Sequence, residues 1–330
     1  MVITLHTTTH SSNPLALIAD DMQAVDRVIA QRLTTSVPLI GQISHYIIAA
    51  GGKRLRPALL LMVSNALGDN NPTKHALAAV VELIHTATLL HDDVVDESTM
   101  RRGRPTANES FGNPASVLVG DFLHTRSFQM MVEAGNMRIL QVLSDATNII
   151  AEGEVQQLIN THDASLDETG YLHVIRSKTA KLFEASTQIA AILAGASPSV
   201  EAACATYGQA LGTAFQIIDD VLDYDGDAHE MGKNLGDDLR EGKCTLPLII
   251  AMQRANNEDS ALIRDAIEQG STEQLNSILR IVKATGALDA TRQAAHNEAM
   301  RAIEALGELP ANAYTEAMQQ LASQLLLRRT

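Results

Sequence analysis

The sequence has no tryptophan and few other aromatic residues, with five tyrosines and five phenylalanines among its 330 positions. Aromatic and β-branched residues that alternate with polar ones, the pattern typical of strands, are hard to find in it. Alanine, leucine, isoleucine, methionine, glutamine and glutamate dominate, and most of these residues favour helices. Because 45% of the residues are hydrophobic, a chain of this length can bury a large core. We therefore predict an all-α protein.

Cysteines, basic residues and long apolar runs are also scarce, and each shortage excludes a class of protein. Cys204 and Cys244 are too few and too far apart for a disulfide framework or a zinc site, which suits a cytoplasmic protein. A formal charge of −14 argues against a nucleic-acid partner. No apolar run approaches the ~20 residues that cross a bilayer, so we expect no transmembrane segment. A greasy substrate would be handled in an internal cavity or at the membrane surface.

Three carboxylates end the apolar, helix-forming segment Leu89–Asp96. On a helix Asp92 and Asp96 share one face, and Asp93 lies about 100° round the axis. Carboxylates in so apolar a setting repel one another and lose hydration, so we expect a bound cation, for which a hard divalent ion is the natural candidate. The Asp-Asp-x-x-Asp pattern recurs after a second apolar run, at Asp219, Asp220 and Asp223. Two such motifs predict two helices that face each other across one cavity.

Cations accompany glycines at several points of the chain. The segment Gly51–Pro57 reads Gly-Gly-Lys-Arg-Leu-Arg-Pro, and Lys53 and Arg56 are spaced to converge on one anion. Arginine suits a phosphate because its guanidinium donates two parallel hydrogen bonds. Cations at a helix start oppose the helix dipole unless an anion intervenes, although a solvated helix start is the simpler interpretation. Lysines also occur at intervals in the glycine-rich stretch that follows Asp223. We interpret this stretch as a lid.

The chain shows no linker, composition break or short repeat, which favours one helical domain over residues 1–330. We expect the polar segment Met1–Asn13 to be a disordered tail. Glycines within helical segments predict close approach to neighbouring helices, and they are Gly153, Gly208 and Gly212. The apolar spacing predicts helices from Pro14, from Pro38, over Lys74–Val95, from Asn113–Pro114 to Gly135, over Met137–Asn160 and from about Leu172.

Several motifs of this sequence resemble, in type and in order, those of the trans-isoprenyl diphosphate synthases. Within that family the sequence most resembles the bacterial octaprenyl diphosphate synthases, which make quinone side chains. The resemblance covers residues 51–247. It implies an all-α bundle of the isoprenoid synthase type with a central cavity, a homodimer, and a Mg²⁺-dependent prenyltransferase. That enzyme condenses isopentenyl diphosphate with an allylic diphosphate, for which we expect farnesyl diphosphate. The motifs are Gly51–Pro57, the two aspartate motifs, Arg101-Arg102, Lys178-Thr179, Phe215-Gln216, Gly232-Lys233 and Gly242-Lys243.

The resemblance also assigns roles to individual residues. Mg²⁺ would be held by Asp92, Asp96 and Asp219, with Asp93, Asp220 and Asp223 completing the catalytic motifs. The allylic diphosphate would be bound by Arg101, Lys178, Lys233 and Lys243, with Thr179 and Gln216 beside the reacting carbon. Isopentenyl diphosphate would be bound by Lys53, Arg56, His85 and Arg102.

The helix before Asp92 is expected to control the length of the product. Ala87 and Thr88 lie about one turn below Asp92, and Ile84 lies about one turn deeper. Small side chains there leave a path for a growing chain towards Phe128 and Met131, which would form a floor. Ordinary core packing is an equally good interpretation of these last two residues.

Two departures and three alternatives accompany this interpretation. Many family members have Gly-Gln-x-x-Asp where this chain has Gly153–Gln157, which leaves open what that helix contributes to the metal site, whereas Cys244 replaces another small residue without an expected effect on catalysis. A terpene cyclase shares the first aspartate motif but needs no second diphosphate site. A non-catalytic subunit of a heteromeric synthase is disfavoured because both motifs and the matched cations are intact. A synthase of shorter or longer chains is the third alternative.

Overall fold

Helices make up most of the part of the chain that the computed structural model describes, residues 13–225 and 235–328. The predicted all-α class is confirmed. Within those two ranges the only sheet is an antiparallel hairpin of β1 (Met100–Arg101) and β2 (Arg104–Pro105). The α-helices are α1 (Ala19–Arg32), α2 (Pro38–Ala49), α3 (Leu55–Ala66), α4 (Thr73–Val95), α5 (Ala107–Phe111), α6 (Asn113–Glu133), α7 (Met137–Asn160), α8 (Glu168–Ile175), α9 (Lys181–Leu193), α10 (Pro198–Asp225), α11 (Asp237–Arg240), α12 (Leu246–Arg254), α13 (Asn257–Gln269), α14 (Leu275–Ala284), α15 (Ala287–Ala305) and α16 (Ala313–Leu325).

Three shorter helical turns complete the description. Pro14–Ile18 and Leu306–Glu308 are 3₁₀ turns, and Arg176–Ala180 is a π-helical turn that joins α8 to α9. None of the described helices combines the length and the apolar content that a bilayer crossing requires.

The sequence located several helix ends well and others less well. The predicted bounds of α4 and α7 agree with the structure, and the first helical turn begins at Pro14. Asn13, expected to end a disordered tail, is ordered, because its side chain accepts a hydrogen bond from the Leu15 amide at 3.1 Å. The rest of the predicted tail, residues 1–12, lies outside the described residues. Helix α8 begins at Glu168, four residues before the expected start, because the Asp167 side chain caps the Gly170 amide at 2.8 Å. Short polar caps of this kind fix helix starts that apolar spacing alone does not reveal.

The two helices that carry the aspartate motifs lie at the centre of the bundle. Helix α4 packs against α1, α3, α6 and α9, whereas α10 packs against α9, α12 and α15. Both helices bury apolar residues on most of their surface, as expected for helices surrounded by others. The buried apolar side chains of the described residues form one connected core. The motifs are therefore carried by two helices that other helices surround.

Small residues let α10 approach α9, as the glycine spacing predicted. A β-carbon added at Gly212 would lie 2.8 Å from the Ala180 Cα atom, and one added at Gly208 would lie 2.5 Å from the Phe183 carbonyl oxygen. Both obstacles are backbone atoms, which cannot rotate out of the way. The close contact of these helices thus depends on the absence of two side chains.

We predict that Gly212→Ala lowers the free energy of unfolding by about 1 to 3 kcal/mol, because the added methyl group overpacks a close helix contact. Chemical denaturation measures the change. Gly41→Ala is the matched control, since Gly41 lies inside α2 with no atom within 4 Å of an added β-carbon. That substitution should stabilise slightly through helix propensity. Equal stability of the two variants would show that α9 and α10 do not need this contact.

Candidate active site

The two aspartate motifs lie at the C-terminal ends of their helices. Asp92 is in the last turn of α4 and Asp96 follows its final residue, whereas Asp219, Asp220 and Asp223 occupy the last two turns of α10. Helix C-termini carry the negative end of the helix dipole, so carboxylates there are destabilised further. Positive groups must compensate for this concentration of negative charge.

Two lysines from other parts of the chain provide that compensation at the first motif. Lys178 Nζ lies 3.8 Å from Asp92 Oδ2 and 2.6 Å from Glu154 Oε2. Lys243 Nζ lies 3.2 Å from Asp96 Oδ2 and 2.6 Å from Glu241 Oε2. The first motif is thus surrounded by alternating carboxylates and ammonium groups.

Burial governs the protonation of these groups. It raises the pKa of Asp92 above the usual range, although the Lys178 ammonium opposes the shift. It also raises the pKa of Glu154 to about 7, again against the effect of Lys178. Burial alone would lower the pKa of Lys243, but the Glu241 and Asp96 carboxylates outweigh it and raise that pKa. The lysine therefore carries its charge at neutral pH.

Asp93 faces away from this group and binds an arginine. Its carboxylate is fully buried and accepts hydrogen bonds from Arg101 Nε at 2.9 Å and from Arg101 Nη2 at 2.7 Å. A two-point contact of this kind fixes the plane of a guanidinium. Asp93 therefore orients Arg101, which projects from the β1–β2 hairpin. The Tyr46 hydroxyl donates to the Pro105 carbonyl at 2.7 Å and ties that hairpin to α2.

The three aspartates of the second motif have three different environments. The Asp219 side chain is 41% exposed and faces Arg328 Nη2 at 4.0 Å. Asp220 is buried, and its two oxygens accept hydrogen bonds from Tyr171 Oη at 2.5 Å and from Gln216 Nε2 at 2.8 Å. Burial raises the pKa of Asp220 well above the usual range, with the nearby Asp238 adding to the shift.

Asp223 caps the short helix that follows. Its carboxylate oxygens accept hydrogen bonds from the amides of Asp237 and Asp238, both at 3.2 Å, and its own carbonyl accepts from the Gly236 amide at 2.9 Å. These contacts join α11 to the end of α10, on either side of residues 226–234, which the structure does not describe. Lys233, predicted to bind the allylic diphosphate, falls within that undescribed range.

A π-helical turn presents Lys178 and Thr179 to the site. Such turns insert one extra residue and are frequent at functional positions. Gly153 in α7 lies against this turn, where an added β-carbon would be 2.8 Å from Ser177 Cβ and 3.0 Å from the Lys178 amide nitrogen. The predicted close approach at Gly153 is thereby confirmed. On the other side, Thr179 Oγ1 donates to Gln216 Oε1 at 3.0 Å, which joins the turn to α10.

A second group of cations surrounds α3 and the start of the hairpin. The Arg56 guanidinium lies 4.5 Å from the centre of the Phe183 ring, and within the described residues its buried Nε has no hydrogen-bond partner. Arg102 packs against Gly52, where an added β-carbon would be 2.7 Å from Arg102 Nη1. Burial lowers the pKa of Arg56 to about 10. A buried donor among positive charges is the chemistry expected of a site for an anion.

Two neighbours complete the second group. Burial, together with Arg56 and Arg102, holds the pKa of His85 well below its usual value, so the imidazole is neutral at pH 7. Glu82 is the buried acid among these cations, with Oε1 3.5 Å from Arg54 Nε, and burial raises its pKa. Burial lowers the pKa of Lys53, helped by Arg328 and opposed by Asp219. Lys53 therefore lies where this group borders the second aspartate motif.

The residues proposed to control product length lie along the contact between α4 and α6. Ile84, Ala87 and Met131 are buried, whereas Thr88 and Phe128 are partly buried. Phe128 stacks on His124, with the ring centres 5.1 Å apart. A cavity of about 130 Å³ lies elsewhere, against α8 and α10, where Lys178, Thr179, Gln216 and Asp220 line its polar side.

Sequence reasoning missed five residues of this region. Tyr171, Glu241 and Glu82 are not part of any motif in the sequence. Glu154 was considered only because it departs from a family pattern. Arg328, near the end of the chain, lies with its guanidinium 4.8 Å from the centre of the Phe215 ring. Most of these contacts join distant parts of the sequence, and only the folded chain reveals them.

Oxygen ligands at the first motif fit a hard divalent cation. Within the described residues, however, no three acidic, histidine or cysteine side chains converge closely enough to hold a metal by themselves. Mg²⁺ is commonly bound by one or two carboxylates together with water and the phosphates of a substrate. The residues present therefore fit a cation that shares its coordination with a phosphorylated ligand.

We predict that Asp223→Ala frees α11 from α10, because the substitution removes both side-chain acceptors. Loss of a helix cap costs about 1 kcal/mol, so amide hydrogen exchange at residues 236–240 should accelerate about fivefold. Asp225→Ala is the control, because within the described residues Asp225 pairs with Arg292 of α15 rather than with α11. Unchanged exchange at residues 236–240 in the Asp223 variant would contradict the capping role.

Comparisons with known proteins identify the family to which this sequence is related. A family model described as polyprenyl synthetase matches residues 37–284. The chain is 52% identical to octaprenyl diphosphate synthase of Escherichia coli strain K12 over 307 residues, which cover 93% of this chain and 95% of that protein. It is 48% identical to the geranyl-diphosphate-specific all-trans-nonaprenyl-diphosphate synthase of Rhodobacter capsulatus, over 93% of this chain and 94% of that protein.

The fold is similar to that of a solved polyprenyl synthase. The crystal structure of the Caulobacter crescentus CB15 protein, complexed with calcium and isoprenyl diphosphate, matches with a TM-score of 0.93 and 43% identity. The match covers 96% of this chain and 98% of that one.

Proposed function

Because the chain belongs to the polyprenyl synthetase family, we propose that it is an all-trans octaprenyl diphosphate synthase that supplies quinone side chains. It adds isopentenyl diphosphate units head to tail to an allylic diphosphate, for which we propose farnesyl diphosphate. The observation that carries the octaprenyl assignment is the 52% identity to the Escherichia coli enzyme over nearly the whole chain. The 48% identity to a nonaprenyl synthase makes a product one unit longer the second candidate.

Mg²⁺ is the proposed cation, and Asp92, Asp96 and Asp219 would hold it. The carboxylate oxygens of these residues support this assignment, as does the calcium, another hard cation, in the Caulobacter structure. When bound, Mg²⁺ stabilises the negative charge of the leaving diphosphate. Asp93, Asp220 and Asp223 act on neighbouring groups: they orient Arg101, fix Gln216 and cap α11 respectively.

Cationic side chains bind the allylic diphosphate at the rim of the first motif. Lys178 and Lys243 already stand beside Asp92 and Asp96, and Arg101 is held in one orientation by Asp93. Lys233 is proposed as a fourth ligand of this diphosphate. Loss of diphosphate from the first carbon of the substrate leaves an allylic cation. Thr179 Oγ1 and Gln216 Oε1, hydrogen-bonded to each other, offer the negative ends of two dipoles to that cation.

Isopentenyl diphosphate binds at the second group of cations, without metal. Its diphosphate is bound by Arg56, Arg102 and Lys53. The neutral His85 donates a further hydrogen bond to this diphosphate. The terminal alkene carbon then forms a bond to the allylic cation, whose carbon–oxygen bond has already broken, and the positive charge passes to the third carbon of isopentenyl diphosphate. A proton from the second carbon of isopentenyl diphosphate leaves to the departing diphosphate and restores a double bond. Holding both substrates in place is how these residues accelerate the reaction.

The whole chain is proposed to act as one cytoplasmic domain that pairs with a second copy of itself. The single connected core supports one domain. Several large apolar side chains on α6 and α7 are exposed, which supports a homodimer across these helices, and they are Leu118, Val132, Met137, Val155, Leu158 and Ile159. Sedimentation tests this state, and a fully active monomer would contradict it. Product release at a membrane surface, without insertion, completes the proposal.

The function is tested by incubating the protein with labelled isopentenyl diphosphate, farnesyl diphosphate and Mg²⁺, followed by extraction and sizing of the lipid products. We expect mainly C40 chains, none without metal, and a loss of turnover of about 100-fold or more in Asp92→Ala, as for other groups that stabilise a developing charge. Asp145→Ala, which removes an exposed carboxylate from α7, is the control. Cyclised hydrocarbon would indicate a terpene cyclase, and no product at all a non-catalytic subunit.

We predict that Ala87→Tyr, assayed with geranyl diphosphate as the primer, shortens the product to about C15 or C20 while the first condensations continue. Ala87 is 1% exposed, and a packed interior has no space for an added ring along the proposed path of the chain. Product length is the measured quantity because it does not depend on how much of the variant folds. Ala30→Tyr, an exposed position of α1, should leave chain length unchanged. Wild-type length in Ala87→Tyr would show that the chain does not grow along this face of α4.

A further inference from the structure

Two lysines beside the first aspartate motif each lie within 4 Å of two carboxylates. Lys178 Nζ is 2.6 Å from Glu154 and 3.8 Å from Asp92. Lys243 Nζ is 2.6 Å from Glu241 and 3.2 Å from Asp96. In both cases the nearer partner is a glutamate outside the aspartate motifs.

We propose that Glu154 and Glu241 are positioning residues that draw these lysines away from Asp92 and Asp96 and so leave the aspartate oxygens available to a divalent cation. The inference rests on the proposed function, in which those two aspartates hold Mg²⁺. The glutamates themselves do not bind the metal.

Competition between cations is the physical basis of this role. An ammonium group and a divalent ion are attracted to the same carboxylate oxygens, and attraction in a partly buried site falls off with distance while water screens it little. Both lysine side chains are only 18% exposed, so neither can turn into bulk water at small cost. Without its glutamate, each lysine would have the metal-binding aspartate as its nearest anion.

The backbone keeps Lys178 from moving elsewhere. Its π-helical turn is pressed against Gly153, with 3.0 Å between the Lys178 amide nitrogen and the position of an added β-carbon. Glu154 is the next residue of α7, so the same helix contact places its carboxylate beside the ammonium. The backbone of Lys178 is therefore fixed by this contact, and the ammonium group at the end of its side chain is attracted to Glu154.

The proposal depends on the negative charge of Glu154. A glutamine at this position would hold the lysine less firmly, because a neutral amide binds an ammonium less strongly than a carboxylate does. In this chain the charged residue allows one ammonium to remain next to the metal ligands without occupying them. Lys178 then stays close enough to bind the diphosphate once the cation has arrived.

The test measures binding of Mn²⁺ alone, as a paramagnetic probe for Mg²⁺, by electron paramagnetic resonance at pH 8.5. This pH lies above the pKa of about 7 of Glu154, so the carboxylate is ionised. Glu154→Gln should weaken Mn²⁺ binding about fivefold, which corresponds to about 1 kcal/mol. Lys178→Met should not weaken it. The double variant Glu154→Gln/Lys178→Met should bind as Lys178→Met does, because the competing ammonium is gone.

Glu152→Gln is the matched control, since Glu152 is exposed on the same helix and hydrogen-bonds to Asn148. It should leave Mn²⁺ binding unchanged. The pair Glu241→Gln and Lys243→Met should reproduce the same pattern at Asp96. If Glu154 had a purely structural role, Glu154→Gln would have a lower thermal stability than the wild type. Adding Lys178→Met to it would then not restore the affinity for Mn²⁺.

Three outcomes overturn the inference in distinguishable ways. Equal Mn²⁺ affinity of the wild type and Glu154→Gln would show that the glutamate has no influence on the metal. A double variant as weak as Glu154→Gln would show that Glu154 is itself a ligand. Failure of the wild type to bind Mn²⁺ alone would overturn the inference, because the aspartates would then not hold a cation before a phosphorylated ligand arrives, whereas failure to form product with Mg²⁺ would refute the proposed function.

Discussion

The structure depends on a concentration of negative charge at the C-terminal ends of two buried helices. Six aspartates occupy the ends of α4 and α10, where the helix dipoles already oppose anions. Almost every polar contact of the site can be understood as a response to that charge. Arginine, lysine and tyrosine side chains and backbone amides from six other segments, together with Gln216 of α10 itself, converge on these six carboxylates. The resulting contacts fix the relative positions of those segments.

The six aspartates divide into two kinds that their motif does not distinguish. Asp92, Asp96 and Asp219 face the cations of the site, whereas Asp93, Asp220 and Asp223 each serve one neighbouring group. A repeated three-aspartate pattern therefore need not mean three metal ligands. In the first motif helical periodicity turns Asp93 away from Asp92 and Asp96, whereas in the second motif Asp223 shares a helix face with Asp219 and differs from it by its contacts with α11.

The sequence was sufficient for the fold class, for the bounds of α4 and α7, and for the close approach of helices at Gly153, Gly208 and Gly212. These features follow from composition and from local spacing. The sequence did not predict the π-helical turn. Packing of the turn against α7 and α10 stabilises its extra residue, and the side chains of the turn give no local signal of it. The sequence was equally silent on Arg328, whose contacts with Phe215 and Asp219 bring together residues more than 100 positions apart.

The β1–β2 hairpin has a geometric consequence for the two proposed substrates. Arg101 and Arg102 are consecutive residues, yet the first is bound to Asp93 at the first motif and the second packs against Gly52 among the other cations. Arg102 has a φ angle of 52°, and this left-handed conformation turns the chain between the two side chains. Consecutive Cα atoms are about 3.8 Å apart. The spacing between the two proposed diphosphate sites is therefore limited partly by a single peptide bond, whose length does not change with thermal motion of the surrounding helices.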